Sequence, residues 1–250
     1  MDRSTATLLD VLEEGERCLG RPVKATFFVL GSVAERFPQL VHEIHRRGHE
    51  VASHGYWHRL CVHEKPCDLQ EDLMRSKALL EDILGSPVLG YRAPGFSISD
   101  RILEQVEEAG YRYDSSYNSF GLNPRYGTLT LNGTRRGIAY EVQPKFYELP
   151  VSNLKILGRT LPWAGGGYFR LVPFDLFAAG VSKILRSQGA YVFYMHPWEC
   201  DPMQPRVCGV DPVSRFRHYV NLSRTAARLL RLIMRFGNCR FMSCTSYLNL

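Results

Sequence analysis

Apolar residues recur at helical spacing near the start of the chain, with Leu8, Leu9, Val11, Leu12 and Leu19 on one face, and predict an amphipathic helix over residues 5–19. Val23 to Leu30 loses that period and is rich in β-branched and aromatic side chains, which predicts a strand. The helical period returns at Val33, Phe37, Leu40, Val41 and Ile44, with Pro38 suited to a first turn and Gly48 to a stop. A short strand over 49–53, a helix over 69–84 stopped by Gly85 and a strand over 88–92 follow. Next come a helix capped by Ser99 and ended by Gly110, and a strand over 111–115. Strands alternating with helices predict parallel βα units and an α/β fold. Residues 117–170 break the rhythm, being rich in Gly, Asn and Pro, and read as a long insertion over the site with a hairpin near 138–150. A helix over 174–186, a strand over 190–195, a helix over 222–236 and a strand over 240–243 complete the reading.

Composition narrows the function classes. A chain of 250 residues, 45% of them hydrophobic, suits a single domain over 1–250 with a sizeable core. The net charge of +6 is modest, and the basic stretch from Arg215 to Arg240 fits a solvated helix face better than a nucleic-acid surface. No apolar run approaches the roughly 20 residues that span a bilayer. Met1-Asp2-Arg3-Ser4 has no secretory pattern. Seven cysteines, an odd number without a Cys-x-x-Cys pair, suggest reduced thiols in the cytoplasm, with Cys200 as filler. Gly165-Gly166-Gly167 lacks the phosphate-loop pattern and reads as a flexible turn.

The chemistry concentrates at predicted strand ends. His54 and His58 follow the strand over 49–53, and a His-x-x-x-His spacing can turn two imidazoles toward one divalent cation. Taken alone, the pair fits equally well one core and one surface histidine. Arg92 begins Arg-Ala-Pro-Gly-Phe after the next strand, Asp114 ends another, and His196 begins His-Pro-Trp-Glu after the strand over 190–195. Each has a plain alternative: a surface arginine, a turn cap, a buried histidine. Together, at successive strand ends of a barrel, they point to a site. Strand alternation turns His49 away from His54, which favours a structural role.

His54-Gly55-Tyr56-Trp57-His58, Arg92-Ala93-Pro94-Gly95-Phe96 and Met195-His196-Pro197-Trp198-Glu199 resemble the successive motifs of the polysaccharide deacetylases, the NodB-homology or carbohydrate esterase family 4 group. The likeness runs over nearly the whole chain. Thr26 to Gly31, Ala164-Gly165-Gly166-Gly167-Tyr168-Phe169-Arg170 and Ser214-Arg215-Phe216-Arg217-His218-Tyr219 resemble the subgroup of exosortase and exopolysaccharide loci. The resemblance implies a distorted (β/α)7-type barrel, with a NodB-homology core over about 20–200 and a subgroup extension over about 201–250. It implies hydrolysis of N-acetyl groups on amino sugars of a polysaccharide or lipid-linked oligosaccharide, in exopolysaccharide biosynthesis. His54 and His58 match the family's histidine ligands of a divalent metal, zinc by expectation. Arg92 matches the arginine that orients the catalytic carboxylate, and His196 the general acid. Asp114 matches, more loosely, an aspartate that tunes that histidine. Trp198 and Tyr56 could stack on a sugar face or simply pack around the histidines.

The family's first motif, an Asp-Asp pair ending the first barrel strand, has no match before Thr26. Asp2 is terminal and Asp10 lies in the predicted opening helix. The resemblance without that motif implies a barrel lacking its first strand and a chain of weak or no activity, through a shortened start, a truncation or degeneration. A small-molecule amidohydrolase on the same scaffold and a non-catalytic copy remain the competing expectations.

Overall fold

The computed structural model describes residues 3–123, 125–209 and 211–250, so Asp2 lies outside the described residues. The elements in chain order are α1 (Arg3–Leu19), β1 (Thr26–Val29), α2 (Gly31–Arg36), α3 (Pro38–Arg46), β2 (Glu50–Ser53), α4 (Pro66–Leu84), β3 (Gly90–Tyr91), α5 (Asp100–Glu108) and β4 (Tyr113–Asp114). They continue with β5 (Thr134–Arg136), β6 (Ala139–Gln143), β7 (Phe146–Glu148), β8 (Leu154–Ile156), β9 (Arg159–Leu161), α6 (Gly166–Leu171), α7 (Phe174–Gln188), α8 (Pro212–Tyr219), α9 (Leu222–Arg235) and α10 (Cys244–Leu248). The chain forms two compact units, one of residues 24–151 with 242–250, the other of the residues up to 23 with 152–241.

The 24–151 unit holds a seven-stranded sheet in the order β1-β2-β3-β4-β7-β6-β5. β1 to β4 run parallel, joined by helices whose ends follow the local chemistry. Pro38 sits in the first turn of α3, Ser99 accepts the Ile102 amide to cap α5, and Gly85 takes the left-handed conformation (φ 64°) that closes α4. The α/β class with a mostly parallel sheet is as expected, but among the described residues the strands form an open sheet with β1 and β5 at its edges.

Residues 117–170 are not a long insertion. The expected hairpin exists as antiparallel β6 and β7, and β7 also pairs in parallel with β4 (Tyr113 with Tyr147, Asp114 with Glu148), so this segment extends the main sheet. The composition misled because β5 to β7 are only three to five residues each, separated by turn residues.

The second unit is mostly helical around α1, α7 and α9, with β8 and β9 as a small hairpin. The strands expected over 190–195 and 240–243 are absent as ladders. Each survives as a single parallel bridge, Gly165 with Tyr194 and Val23 with Phe241. The apolar run at 191–193 is half-buried and held by ring packing instead, Phe193 lying 5.3 Å from Phe169 and 6.4 Å from Phe177 between centroids. No helix of the described residues is long and apolar enough to cross a membrane.

Candidate active site

His54 and His58 are brought together, but not by a helix. β2 delivers the chain to His54, whose amide donates to Val29 O (2.9 Å). The chain then turns through two left-handed residues, Gly55 (φ 74°) and His58 (φ 60°). A positive φ costs a histidine far more than a glycine, so surrounding contacts must hold the strained backbone in place. Asp72 on α4 supplies them: its carboxylate accepts the amides of Tyr56 (2.7 Å) and Trp57 (3.2 Å). A Cβ on Gly55 would meet Asp72 Oδ2 at 2.8 Å, so glycine also makes room for this carboxylate. The two imidazoles end edge to face with centroids 5.2 Å apart.

His54 Nδ1 lies 2.6 Å from the Arg92 carbonyl. A carbonyl only accepts, so Nδ1 carries the proton and Nε2 the lone pair. That is the arrangement in which ligating histidines are held, with one ring nitrogen anchored and the other directed at the ion. Two imidazoles on one tetrahedral zinc, at about 2.0–2.1 Å each, place their centroids about 5 Å apart. The pair therefore fits two ligand positions. Among the described residues, no group of three or more His, Cys, Asp and Glu side chains could hold a metal.

Arg92 is buried and donates to Ser115, from Nε to the carbonyl and from Nη2 to Oγ, each 2.7 Å. Its guanidinium lies 4.1 Å over the Phe28 ring. Asp114 is fully buried and accepts from Ser116 N (2.8 Å) and Ser116 Oγ (2.7 Å). Its neighbour across the β4–β7 register is Glu148, also fully buried. The Tyr117 amide donates to Glu148 Oε1 (2.9 Å), no N–H or O–H of the described residues reaches Oε2, and the Asp114 carboxyl lies in hydrogen-bonding contact. Two carboxyls so placed need a proton between them. Burial first, then the Asp114 charge, push Glu148 well above the usual carboxylate range.

The Glu148 proton has a testable consequence. A carboxyl raised in the folded state adds stability below its unfolded pKa of about 4.3, and that stability is lost as pH rises through the folded value. Glu148→Gln, neutral at every pH and still able to donate to Asp114, is expected to melt above wild type by a margin that widens from pH 5 to pH 9. Parallel melting curves across that range would show that Glu148 is ionised in the native protein.

Tyr56 is buried, its hydroxyl donates to Glu35 (2.6 Å), and the Arg75 guanidinium lies 3.7 Å over its ring. It has no open face for a sugar, because β2 and the turn after it carry it inward. The exposed aromatic beside it is Trp57. His49 is buried and its Nδ1 accepts the Ala25 amide (3.3 Å), a structural role.

His196 and Trp198 belong to the other unit. The His196 side chain is 55% exposed, and the carboxylate beside it within its own unit is Glu199, with Nδ1 3.4 Å from Oε1. Trp198 is half-buried in a stack, 5.6 Å from His196 and 4.2 Å from His218 between centroids. Three acids therefore escaped the sequence reading. Glu199 had a signal, the His-x-x-Glu spacing that lets an acid side chain accept the backbone amide three residues before it. Glu148 had a weaker one, an acid inside the apolar run Phe146 to Leu149. Asp72 had none.

Residues 2–113 match the family Polysaccharide deacetylase, and residues 115–249, just over half of the chain, match Domain of unknown function (DUF3473). The chain belongs to the DUF3473 family. Its first part is a polysaccharide deacetylase domain. This DUF3473 protein is 31% identical over 108 residues to a peptidoglycan-N-acetylglucosamine deacetylase of Bacillus cereus, covering 43% of this chain and 47% of the relative. A peptidoglycan deacetylase of Helicobacter pylori is 28% identical, covering 51% and 43%. The chain thus spans about half the length of these curated relatives. The fold is shared with a family 4 carbohydrate esterase from Streptomyces lividans (TM-score 0.54, 16% identity, 95% of this chain and 83% of that one). It is shared also with a pseudoenzyme of that family from Bacillus anthracis (TM-score 0.57, 14% identity, 98% and 60%).

Proposed function

We propose that this DUF3473 protein is a metal-dependent hydrolase that removes N-acetyl groups from amino sugars of a polysaccharide or lipid-linked oligosaccharide, in exopolysaccharide biosynthesis. The observation that carries the reading is the His54–His58 pair, with a strained His58 and a His54 ring anchored through Nδ1. His54 and His58 would hold a divalent ion, zinc by the chemistry of two imidazoles. Such an ion supplies a polarised acetyl carbonyl and a water of lowered pKa. His196 gives a proton from Nε2 to the amide nitrogen as the C–N bond breaks, so the sugar leaves as a neutral amine and acetate is released. Arg92 holds the Ser115 backbone and, by its bond from His54, the ligand turn. Seven free thiols support a reducing, cytoplasmic setting.

The test is acetate release from N-acetylated oligosaccharides after loading with zinc, beside a panel of small amides. Activity on the sugars, with His54→Ala and His58→Ala losing both activity and stoichiometric zinc, is the expected result. A preference for small amides would transfer the reading to a different amidohydrolase.

One observation favours a second reading, a non-catalytic glycan-binding copy: the described residues provide two imidazoles and no third ligand of the usual kinds. Wild-type protein that releases no acetate and retains no stoichiometric metal would decide for it.

A further inference from the structure

The run Ala164-Gly165-Gly166-Gly167-Tyr168-Phe169-Arg170 has no part in the chemistry above, yet its residues converge on one carboxylate. Glu199 is 2% exposed, and so is Arg170, which donates from Nε to Glu199 Oε2 (2.8 Å). Arg170 cannot swing away. Its Nη1 donates to the carbonyls of His218 (2.9 Å) and Val220 (2.8 Å), and Asn221 Nδ2 donates to its own carbonyl (2.8 Å). Gly166 lies against the same carboxylate: a Cβ there would collide with both Oε1 and Oε2 of Glu199. Arginine and glycine, four residues apart, thus form a socket that admits the carboxylate and neutralises it.

The other oxygen faces His196. Glu199 Oε1 accepts the His196 amide (2.9 Å) and lies 3.4 Å from Nδ1 of the same residue. The backbone bond fixes where the imidazole starts and the socket fixes where the carboxylate sits. Hydrogen bonds of this kind are often long before substrate binds and tighten afterwards. Burial by itself would raise the Glu199 carboxyl, but the bonds from His196 and the charge of Arg170 hold it below its usual range, so it stays an acceptor.

We infer that Glu199 is a positioning residue for His196: it takes the Nδ1 proton bond, fixes the ring orientation and leaves Nε2 as the nitrogen that exchanges a proton with the substrate amine. Gly166 and Arg170 exist in that run to seat it. The inference rests on His196 as the proton donor. It moves the tuning role from Asp114, whose partners are Ser116 and Glu148, to an acid three residues from the histidine itself.

The test is the tautomer of the neutral His196 ring in the full chain, read from imidazole ¹⁵N shifts and assigned by their loss in His196→Gln. Wild type is expected to show the Nδ1–H tautomer, the minor form of a free imidazole. Gly166→Ala, which pushes the carboxylate away, and the double variant Arg170→Gln/Glu199→Gln, which leaves no buried charge, are both expected to shift the ring toward Nε2–H. kcat for N-acetyl release should fall about 10-fold or more with KM within about twofold, as for loss of part of a general acid's contribution. A wild-type ring in the Nε2–H form, or variant rings that keep the wild-type tautomer, overturns the inference even if a variant folds poorly. A wild-type Nδ1–H ring in a protein that releases no acetate supports the positioning and refutes the proposed activity instead.

Discussion

His196→Ala is expected to lower kcat for N-acetyl sugar hydrolysis by about 10²–10⁴-fold, the usual worth of a positioned general acid, with little change in KM. The reason is the leaving group. An amide nitrogen departs only as a protonated amine, because the bare amide anion is far too basic to be expelled. No other imidazole shares the turn at 196–200, and His218 is committed elsewhere, its Nε2 2.9 Å from Gln204 Oε1 and its ring stacked on Trp198. A substrate whose leaving group needs no proton separates this role from packing. Hydrolysis of 4-nitrophenyl acetate, which expels a stable phenolate, should fall much less in His196→Ala than hydrolysis of the N-acetyl sugar. Equal losses on both substrates would mean that the ring supports the fold or binds the acyl group, and the general-acid assignment would fail.

Arg170→Met is expected to cost about 3–5 kcal/mol of stability, because it leaves one partner of a buried ion pair without the other. Glu199 would keep its charge away from water, and the carbonyls of His218 and Val220 would lose their donors. Lysine should not rescue, since an ammonium cannot reproduce a guanidinium that reaches a carboxylate and two carbonyls at once. Arg170→Gln/Glu199→Gln should recover much of the loss, as removing both charges of a buried pair is far less harmful than removing one. Urea unfolding of the four proteins measures this. A loss below about 1 kcal/mol in Arg170→Met, within the range of an ordinary surface substitution, would show that the pair is not buried in solution.

The two results together separate chemistry from architecture. His196 is half-exposed and its removal should leave stability nearly intact, whereas Arg170 touches no substrate and its removal should destabilise the protein strongly. Residues 115–249, which match DUF3473, contain both, and also the β4–β7 partner Glu148. That segment finishes the parallel sheet and carries the proposed proton donor.

The alternation of apolar and polar positions determined most of the local structure by itself. α1, α3, α4, α5, α7 and α9 lie where the 3.6-residue period and its caps place them, because those signals act within a few residues of the chain. The motif histidines were legible for the same reason, being marked by residue type and spacing. Long-range pairing was not. Nothing in Phe146-Tyr147-Glu148 announces a parallel ladder with Tyr113 and Asp114, since a strand's partner lies more than 30 residues away and each strand alone has only two or three residues. Tyr191 to Phe193 reads as a strand and is not one, because aromatic rings from α6 and α7 pack against Phe193 without a ladder. Glu148 and Glu199 owe their roles to being dry and to what faces them, and the half-buried Asp72 owes its role to the amides it faces. Burial and most facing partners arise only when distant segments close on each other, so tertiary structure decided which of the many carboxylates are held dry and against what.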